Sequence, residues 1–453
     1  MQFSKVDSTE LGDRFDAKYY DPEFLALMEK AMQYKTSRIK SLEDVSHKIK
    51  KGIFEIRADE YTDEGVPFIR VSDVKTLCLN IRDMAHITPM RSRKAHTTEL
   101  KPSDLVITKG GTIGTVAPVP PWMPLCNVSQ DIVAVSLDDS VNHWYVAVFL
   151  ASRLGRIQFE RIKTQHNQPH LTLKPVRELR IVTHEDASDN EIGSMFEEAQ
   201  KLQGTIIEEM KTAIGLVNKA ISIELAPNRI RTFSIASSEI GDTFAPVFYH
   251  PTYVKTVQNI QARFETVSLD SENALIERGV EVGSKEYKSY LQKQEDDVPF
   301  VRTSDIVNYA IDNYPDHYVR KELMNHYKQD LRENDILFAN DGKIGASAII
   351  VKGDNCIFQS HLRRIRLLTK KVTPEFLFAF LNTDYALYQI YRYVNVQSTI
   401  STIGHGLSKL KIPLLENSVQ SEIEGHVKKV AVLEEKRKRL VMKAREKTAE
   451  LLG

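Results

Sequence analysis

The sequence DLVITKGGTIG occupies residues 104–114, and a related sequence, DILFANDGKIG, occupies residues 335–345. The two align without a gap at an offset of 231 residues. In each copy an aspartate precedes an apolar run typical of a strand. Glycines follow at 111 and 114 in the first copy and at 342 and 345 in the second. The second copy is not a nucleotide-binding P-loop, because its lysine is followed by Ile-Gly and not by the Ser or Thr that opens a helix. We therefore predict the same turn between two strands in both places.

Six further pairs of segments recur in the same order and close to the same offset. They are VPFIRVSD (66–73) with VPFVRTSD (298–305), VSQDI (128–132) with FQSHL (358–362), FLASRLGRIQ (149–158) with FLNTDYALYQ (380–389), ELRIV (178–182) with KLKIP (409–413), NEIG from 190 with SEIE from 421, and RFDAKYYDP (14–22) with TFAPVFYHP (243–251). Within the pair VSQDI and FQSHL, Gln130 is interpreted as the counterpart of Gln359. Two repeats of this length indicate tandem domains and not a solenoid, whose repeats are about 20–50 residues long.

Each copy has the same predicted order of elements. Extended segments broken by Gly, Pro and Asp come first, and a helical segment follows, at 143–162 and again at 374–391. A polar loop, a short strand and a long helix complete the copy. The prediction is an α/β (α+β) fold with two tandem domains and two long helices. Their predicted bounds are 1–188 for the first domain, 189–224 for its helix, 225–420 for the second domain and 421–453 for its helix.

Both long helices have apolar residues at alternating steps of four and three, the pattern of a coiled-coil seam. The first helix has seven acidic and three basic residues, a net charge of −4, and the second has six and nine, a net charge of +3. Opposite charges favour antiparallel pairing of the two helices. The alternative is that each helix covers only its own domain. The predicted seam residues are Ile192, Phe196, Ala199, Ile206, Met210, Ala213, Val217 and Ala220, then Ile423, Val427, Val430, Val441, Ala444 and Leu451, with polar interruptions at Gln203, Glu434, Arg437 and Thr448.

The composition limits the classes of function. Of 453 residues, 42% are hydrophobic and 27% are charged, as in a globular protein. The 61 basic and 61 acidic residues cancel, so any DNA contact must come from local patches or partner subunits. Cys78, Cys126 and Cys356 form no metal-binding spacing, which predicts reduced thiols and no structural zinc. No apolar run is long enough to span a membrane, so we expect a soluble, cytoplasmic protein.

With this duplicated pattern the chain resembles the specificity (S) subunits of type I restriction-modification systems. The resemblance lies in the repeated D-[LI]-[VL]-[IF]…G-x-I-G stretch, the Gln130/Gln359 strand, the entry RFDAKYYDP and the two terminal helices of the repeats. It implies two target-recognition domains held by antiparallel helices, with double-stranded DNA as ligand. It also implies methyltransferase (M) and restriction/translocase (R) subunits as partners, and no cofactor. The second entry, TFAPVFYHP, departs from the pattern by losing the Arg and Asp.

Motifs for catalysis are weak in this chain. APVPPWMP (117–124) lacks the Asn or Asp that precedes Pro-Pro in amino-methyltransferases, so we interpret it as a rigid turn. The acidic run QEDDVPF (294–300) could be a metal site or a solvated turn. The prediction is therefore a recognition subunit that is not an enzyme. The alternatives are a divergent DNA methyltransferase or nuclease, and an assembly scaffold that does not bind DNA.

DNA recognition is expected from polar and basic side chains on loops, because Gln and Asn can bond adenine and Arg can bond guanine. The glycine turns have two interpretations: a backbone requirement for glycine, or a placement of Lys109 and Lys343 beside phosphates. On the strand at Arg363, Arg364 and Arg366, at least one side chain should face away from DNA. The candidates are Arg70, Arg91, Arg93, Lys94, Lys109, Gln165, His166 and Asn167 in the first copy and Arg302, Arg320, Lys321, Lys343, Arg392, Gln397 and Ser398 in the second.

Overall fold

The computed structural model describes residues 17–164, 169–225, 230, 232–241, 243–397 and 400–452, with only the backbone of Ala17, Lys18 and Gln397. The chain divides into two units. Unit 1 comprises residues 1–204 and 436–453, and unit 2 comprises residues 205–435. Each unit therefore contains one copy of the repeat together with half of each long helix, a division that differs from the predicted separation of domains and helices.

The elements of unit 1 follow the predicted order of strands and helices. They are α1 (Pro22–Met32), β1 (Ser37–Ser41), β2 (Ser46–Lys51), β3 (Tyr61–Thr62), β4 (Val66–Ile69), β5 (Val74–Lys75), β6 (Cys78–Leu79), β7 (Ala85–Ile87), α2 (Pro89–Lys94), β8 (Leu105–Thr108), β9 (Val116–Pro118), β10 (Asn127–Val128), β11 (Ile132–Leu137), α3 (His143–Ala151), α4 (Arg153–Ile162), α5 (Leu173–Arg177), β12 (Arg180–His184) and the long helix α6 (Ser188–Ile221), which continues into unit 2.

Two four-stranded sheets and two short ribbons, β1–β12 and β5–β6, build the described part of unit 1. An antiparallel sheet has the strand order β2-β11-β8-β9, and a mixed sheet has the order β10-β4-β7-β3 with β10 parallel to β4. Strands β8 and β11 are buried along their whole length, as their apolar runs predict. The pairing of β1 with β12 joins the start of the repeat to its end, directly before α6.

The elements of unit 2 repeat this order. They are α7 (Pro251–Arg263), β13 (Thr266–Ser268), β14 (Ala274–Arg278), β15 (Val298–Val301), β16 (Ile306–Val307), β17 (Ala310–Ile311), β18 (Tyr318–Val319), α8 (Glu322–Tyr327), β19 (Ile336–Ala339), β20 (Ser347–Ile349), β21 (Ile357–Phe358), β22 (Leu362–Leu367), α9 (Pro374–Leu381), α10 (Asp384–Tyr391), β23 (Asn395–Gln397), β24 (Ile400–Thr402), β25 (Lys411–Pro413) and the long helix α11 (Asn417–Leu452), which continues into unit 1.

The sheets of unit 2 match those of unit 1, except that β3 has no counterpart among the strands described in unit 2. The order β14-β22-β19-β20 corresponds to β2-β11-β8-β9, and the order β18-β15-β21 corresponds to β7-β4-β10. The ribbon β13–β25 corresponds to β1–β12. The hairpin β23–β24 has no counterpart among the strands described in unit 1. The duplication inferred from the sequence is thus a duplication of the fold.

The register of the repeat differs from the prediction at one position. The amide of Ser129 donates to the Ile69 carbonyl at 2.9 Å, and the amide of Gln359 donates to the Val301 carbonyl at 2.9 Å. Ser129 and Gln359 are therefore equivalent, and the pairing of Gln130 with Gln359 was wrong by one residue. The glutamines are similar in type, but the backbone hydrogen bonds of the parallel strands fix the register.

The helical segment after the sheet is two helices in each unit, where the sequence pattern indicated one. Between α3 and α4, Ser152 is extended with ψ 172°, and its hydroxyl accepts from the amide of Gly155. Thr383 does the same before α10 and accepts from the amide of Ala386. Ser and Thr are preferred N-cap residues because their oxygen satisfies an unpaired helical amide. Apolar residues resume soon after both breaks, so hydrophobic periodicity does not reveal them.

The long helices α6 and α11 bury the predicted seam, with a shift at their C-terminal ends. There Ile221 and Leu452 are buried, whereas Ala220 and Leu451 are only partly buried. A seven-residue repeat drifts by about 20° per heptad on a straight α-helix. After four heptads the drift is about 80°, most of the roughly 100° that separates successive residues. The next residue in the sequence therefore takes the buried position. The polar interruptions Gln203 and Glu434 are both buried, at 3% exposure.

Ion pairs join α6 to α11 within each unit. Acidic residues on α6 meet basic residues on α11, and the partner's number falls as the number on α6 rises, so the helices run antiparallel. In unit 2, Lys429 and His426 lower the pKa of the Glu209 carboxyl below its ordinary value. The pairs are Glu191–Lys447 and Glu198–Lys436 (2.6 Å) in unit 1, and Glu209–Lys429 (2.5 Å) and Glu209–His426 (2.6 Å) in unit 2.

Each helix pair also packs on the sheets of its own unit. In unit 1 the indole Nε1 of Trp122 donates to the Gln200 carbonyl of α6 at 3.0 Å. A Cβ at Gly204 would lie 2.4 Å from Cδ1 of the same indole. The Pro-Pro-Trp sequence therefore forms a turn that packs on α6. Across the described ranges of both units, no helix is both long enough and apolar enough to span a membrane.

Candidate nucleic-acid interface

The glycine turn of the repeated sequence joins two antiparallel strands in each unit, β8 to β9 and β19 to β20. Gly111 and Gly114 have φ values of 65° and 76°, and Gly342 and Gly345 have 71° and 91°. A Cβ at Gly114 would lie 2.6 Å from the Phe159 side chain. Positive φ and this close approach are conditions that only glycine meets without strain. The backbone interpretation of the turn is confirmed.

Replacing Gly114 by Ala should destabilise unit 1 by about 2 kcal/mol or more. A left-handed conformation costs an L-residue roughly 1–2 kcal/mol, and the contact with Phe159 adds to it. Gly353→Ala is the control, because Gly353 has φ 91° but no atom within 4 Å of its added Cβ. Urea unfolding of both variants measures the difference. Equal losses would show that the packing against Phe159 contributes nothing.

A loop that follows the second helix of each pair is bonded to this turn. We call residues 163–170 and 395–402 the recognition loops. In unit 1 the amide of Leu171, directly after the loop, donates to the Lys109 carbonyl at 3.1 Å. In unit 2 the amide of Gly342 donates to the Ser401 carbonyl at 2.9 Å. The structure thus brings Lys109 and Lys343 to the base of the two recognition loops.

The two recognition loops differ in what the structure describes. Gln165, His166 and Asn167 lie outside the described residues, and so does Ser398. In unit 2 the loop is the hairpin β23–β24, whose Val396 is 70% exposed. Gln397 ends the first strand of this hairpin, but its side chain is not described.

A carboxylate pairs with a nitrogen base beside the glycine turn in each unit. In unit 1 the carboxylate precedes β11, and in unit 2 it follows β19. In unit 1, Lys109 Nζ lies 3.4 Å from Oδ1 of Asp131. In unit 2 the equivalent strands place Asp341 Oδ2 at 2.9 Å from Nδ1 of His361. Thr402 of the hairpin also donates to Asp341. Burial raises the pKa of Asp341, but the hydrogen bonds from Thr402 and His361 outweigh it and the pKa lies below its ordinary value.

The sequence did not single out this Asp341–His361–Thr402 group. Its members are far apart in the chain, and hydrophobic periodicity does not show which polar residues meet. The signal that could have found it is the repeat itself. When the two repeats are aligned in the observed register, Asp131 and His361 are equivalent. Because one is acidic and the other is a histidine, the side chain that each contacts is expected to differ as well.

Arg70 and Arg302 occupy equivalent positions in the repeated sequences and hold the same turn. The Nε atom of Arg70 donates to Asp73 Oδ2 at 3.1 Å, and that of Arg302 donates to Asp305 Oδ2 at 3.3 Å. Each aspartate is buried and also accepts the amide of its arginine. Both guanidinium groups are therefore engaged in closing a 3₁₀ turn, and their contacts in the structure are structural.

The other cationic candidates divide into paired and unpaired groups. Most are already bonded within their own unit, and these contacts compete with contacts to DNA. Arg93, Lys94 and Lys343 are exposed and form no ion pair with any residue in the described part of the chain. The paired candidates are Arg91 with Glu60 (3.3 Å), Lys109 with Asp131, Arg320 with Glu286 (2.9 Å), Lys321 with Asp296 (3.9 Å) and Arg392 with the Phe248 carbonyl (2.9 Å).

Among the described residues no group of three or more His, Cys, Asp or Glu side chains is placed to hold a metal ion. The acidic run at 294–300 instead contains an ion pair, because Asp297 Oδ2 lies 2.8 Å from Lys288 Nζ. What the geometry does provide is a rigid turn and an attached polar loop in each unit. Such loops on a rigid scaffold are suited to binding and to reading a partner molecule.

A comparison with protein families bears on the function of the chain. A family model described as the type I restriction modification DNA specificity domain matches residues 280–438. None of the curated proteins matches the chain in sequence. Among solved structures, the chain is similar to the type I restriction-modification S subunit from M. genitalium, with 11% identity, 93% of this chain and 97% of that chain covered, and a TM-score of 0.38. It is also similar to the HsdS subunit from Thermoanaerobacter tengcongensis, with 14% identity, 92% and 97% coverage, and a TM-score of 0.29.

The family model covers most of the repeat in unit 2, and the internal duplication relates unit 1 to the same domain. The class that this match indicates is a DNA sequence-recognition domain. Residues 280–438 thus match the DNA specificity domain of type I restriction-modification systems.

Proposed function

We propose that each unit reads one half of a bipartite, asymmetric DNA sequence in the major groove. The observation that carries this proposal is the repeated arrangement of glycine turn and recognition loop, one per unit, on matching sheets. The loops differ in sequence, KTQHNQPH at 163–170 against NVQST at 395–399, so two different half-sites are expected. Gln and Asn side chains on these loops are suited to bidentate bonds with adenine.

Contacts with phosphates are assigned to the exposed cations that lack carboxylate partners. Lys343 at the base of the unit 2 loop, and Arg93 and Lys94 on α2, have charges available for DNA. These contacts position the duplex but carry no sequence information. Because the chain has no net charge, partner subunits must add part of the positive surface that binding requires.

The partners implied by this family are methyltransferase (M) and restriction/translocase (R) subunits. In our proposal they carry out methylation and cleavage, and the chain directs them to one DNA sequence. The helices α6 and α11, joined by ion pairs within each unit, set the gap between the two half-sites. Since the ligand is cellular DNA, we infer a cytoplasmic location.

The two-reader proposal is tested by changing one recognition loop at a time. Replacing Gln165, His166 and Asn167 by Ala should alter one half-site only, and replacing Gln397 and Ser398 should alter only the other. The readout is single-molecule mapping of methylated sites in cells that carry each variant with its partner subunits. The loss of one good bidentate contact costs about 1–3 kcal/mol of discrimination, roughly tenfold to a hundredfold.

Lys370→Gln is the control for the loop variants, because Lys370 is exposed, follows β22 and lies outside both recognition loops in the sequence. It should leave both half-sites unchanged. A loop variant that altered both half-sites equally would contradict independent reading. A uniform weakening at every sequence would assign the changed residues to phosphate contacts.

A further inference from the structure

Two arginines of unit 2 face each other on neighbouring strands. Arg278 on β14 and Arg363 on β22 are direct partners in the antiparallel register. Side chains at such positions project from the same face of the sheet, with Cβ atoms about 5 Å apart. Like charges placed directly opposite destabilise a strand pair. The pair therefore needs an explanation.

Neither guanidinium group is neutralised by a carboxylate within ion-pair distance among the described residues. Both donate to one neutral acceptor, the Ser360 carbonyl, Arg278 through Nε at 3.2 Å and Arg363 through Nη1 at 2.7 Å. Nη1 of Arg363 also donates to the Leu362 carbonyl at 3.1 Å. A guanidinium group has five N–H donors, so most of the donors of this pair remain available.

The surroundings of the pair favour an added negative charge. Burial lowers the pKa of Arg363, the carboxylate of Asp341 opposes this, and the positive charge of Arg278 adds to it. Asp341 is the carboxylate that acts on Arg363, but it is hydrogen bonded to Thr402 and His361. An anion placed between the two arginines would relieve their repulsion without competing with a protein carboxylate.

The two arginines line a cavity of about 340 Å³. This is roughly ten times the volume of about 30 Å³ that one water molecule occupies in the liquid, so a phosphate group fits. Gly404, His405 and Ser408 line the cavity as well, and they directly follow the recognition hairpin β23–β24. The cavity therefore opens beside the segment to which we assign base reading in unit 2.

We propose that Arg278 and Arg363 form a clamp for one backbone phosphate of the bound DNA, beside the recognition hairpin of unit 2. This inference rests on the proposed DNA-reading function. Planar guanidinium groups bind phosphate oxygens through pairs of parallel hydrogen bonds, a geometry that a lysine does not provide. The clamp fixes the position of the duplex against the hairpin, and bases are then read by the loop.

The clamp is a property of unit 2 alone. At the equivalent position of unit 1, Lys51 on β2 is the partner of Val133 on β11, and Val133 is fully buried. One cation replaces two, and a lysine replaces an arginine. The two units consequently differ in how they hold the DNA backbone as well as in the sequence of their loops.

The first test measures the binding of the full-length protein, assembled with its partner subunits, to duplex DNA over a series of salt concentrations. Each phosphate contact contributes about 0.9 to the slope of log K against log salt. Both arginines contact one phosphate, so Arg278→Gln and Arg363→Gln should each reduce the magnitude of the slope by up to about 0.9. Sequence preference, measured by competition among duplexes, should not change. An unchanged slope in Arg278→Gln, or a changed sequence preference, would overturn the clamp.

Two further variants test whether a changed salt slope comes from the clamp, from a general loss of positive charge or from a loss of folding. Arg332→Gln removes an exposed guanidinium of the same unit that is already paired with Asp330 at 2.6 Å, and it should leave the slope unchanged. Arg278→Lys retains the charge but not the paired hydrogen bonds, so affinity should fall with less change in slope. Arg278 is exposed, so its replacement tests the clamp even if Arg363→Gln unfolds.

A second test needs no DNA. Inorganic phosphate should raise the unfolding temperature of the full-length chain above its value in chloride at equal ionic strength, and Arg278→Gln should abolish the difference. Phosphate binding without DNA binding would overturn the assignment to DNA and with it the proposed function. DNA binding with unchanged salt slopes would overturn the clamp alone.

Discussion

Replacing Asp335 by Asn is expected to destabilise unit 2 by about 3–5 kcal/mol. Asp335 is 2% exposed and receives two hydrogen bonds from Arg366, at 2.7 Å from Nε and 2.6 Å from Nη2. The fully buried Arg364 has its Nε 4.0 Å from the same carboxylate. Asp330 and Glu277 still pair with Arg366 and Arg364. Asp335 is the buried carboxylate of the group, and removing a buried partner costs several times more than losing an exposed pair.

Asp104 provides the matched control, because it precedes the equivalent strand of unit 1. It is also buried, but it forms no ion pair with the described residues, and burial raises the pKa of its carboxyl. A raised pKa means that the folded state favours the protonated acid. Its contribution to stability is therefore present below the unfolded pKa and is lost as pH rises through the folded pKa. At neutral pH, Asp104→Asn should leave stability unchanged or increase it.

Urea unfolding, with hydrogen exchange to assign the loss to one unit, compares the two variants. Asp335→Asn should lower protection in unit 2, and Asp104→Asn should not lower it in unit 1. The stability gain of Asp104→Asn should shrink as the pH is lowered toward the carboxyl pKa. Equal destabilisation by both substitutions would show that the arginines do not determine the role of Asp335.

A heptad inserted into both long helices is expected to change the DNA sequence that the protein recognises. The insertion points are Gly204–Thr205 on α6 and Glu435–Lys436 on α11, where the division between units crosses the helices. Seven residues keep the seam in register and lengthen each helix by about 10 Å, at 1.5 Å per residue. At about 3.4 Å per base pair, this corresponds to roughly three base pairs. Both half-sites should persist, with a gap wider by about three base pairs.

Methylated-site mapping of the doubly extended protein, with its partner subunits, measures the gap. A heptad in α6 alone is the control, since it displaces ion pairs such as Glu191–Lys447 from their partners and should impair folding or assembly. An active, doubly extended protein with an unchanged gap would contradict the proposal that these helices set the spacing.

The sequence by itself determined the features that depend on local or periodic chemistry. The repeated Asp-led apolar runs specified β8 and β19, because continuous apolar residues form strands buried on both faces. The glycines at 111, 114, 342 and 345 specified the turn, because positive φ excludes other residues. The spacing of Ile192, Phe196 and their successors specified the long helices, because a buried stripe repeats with the helical period.

Tertiary structure alone decided which charged groups are paired and which are free for a ligand. Arg70 and Arg302 bond to aspartates three residues away, whereas Arg278 and Arg363 meet across two strands and donate to the same carbonyl. In the sequence these arginines look alike, because a charge carries no record of the residues that surround it after folding. Coulomb energy and desolvation depend on distances and burial, which only the strand register and the packing of the sheets establish.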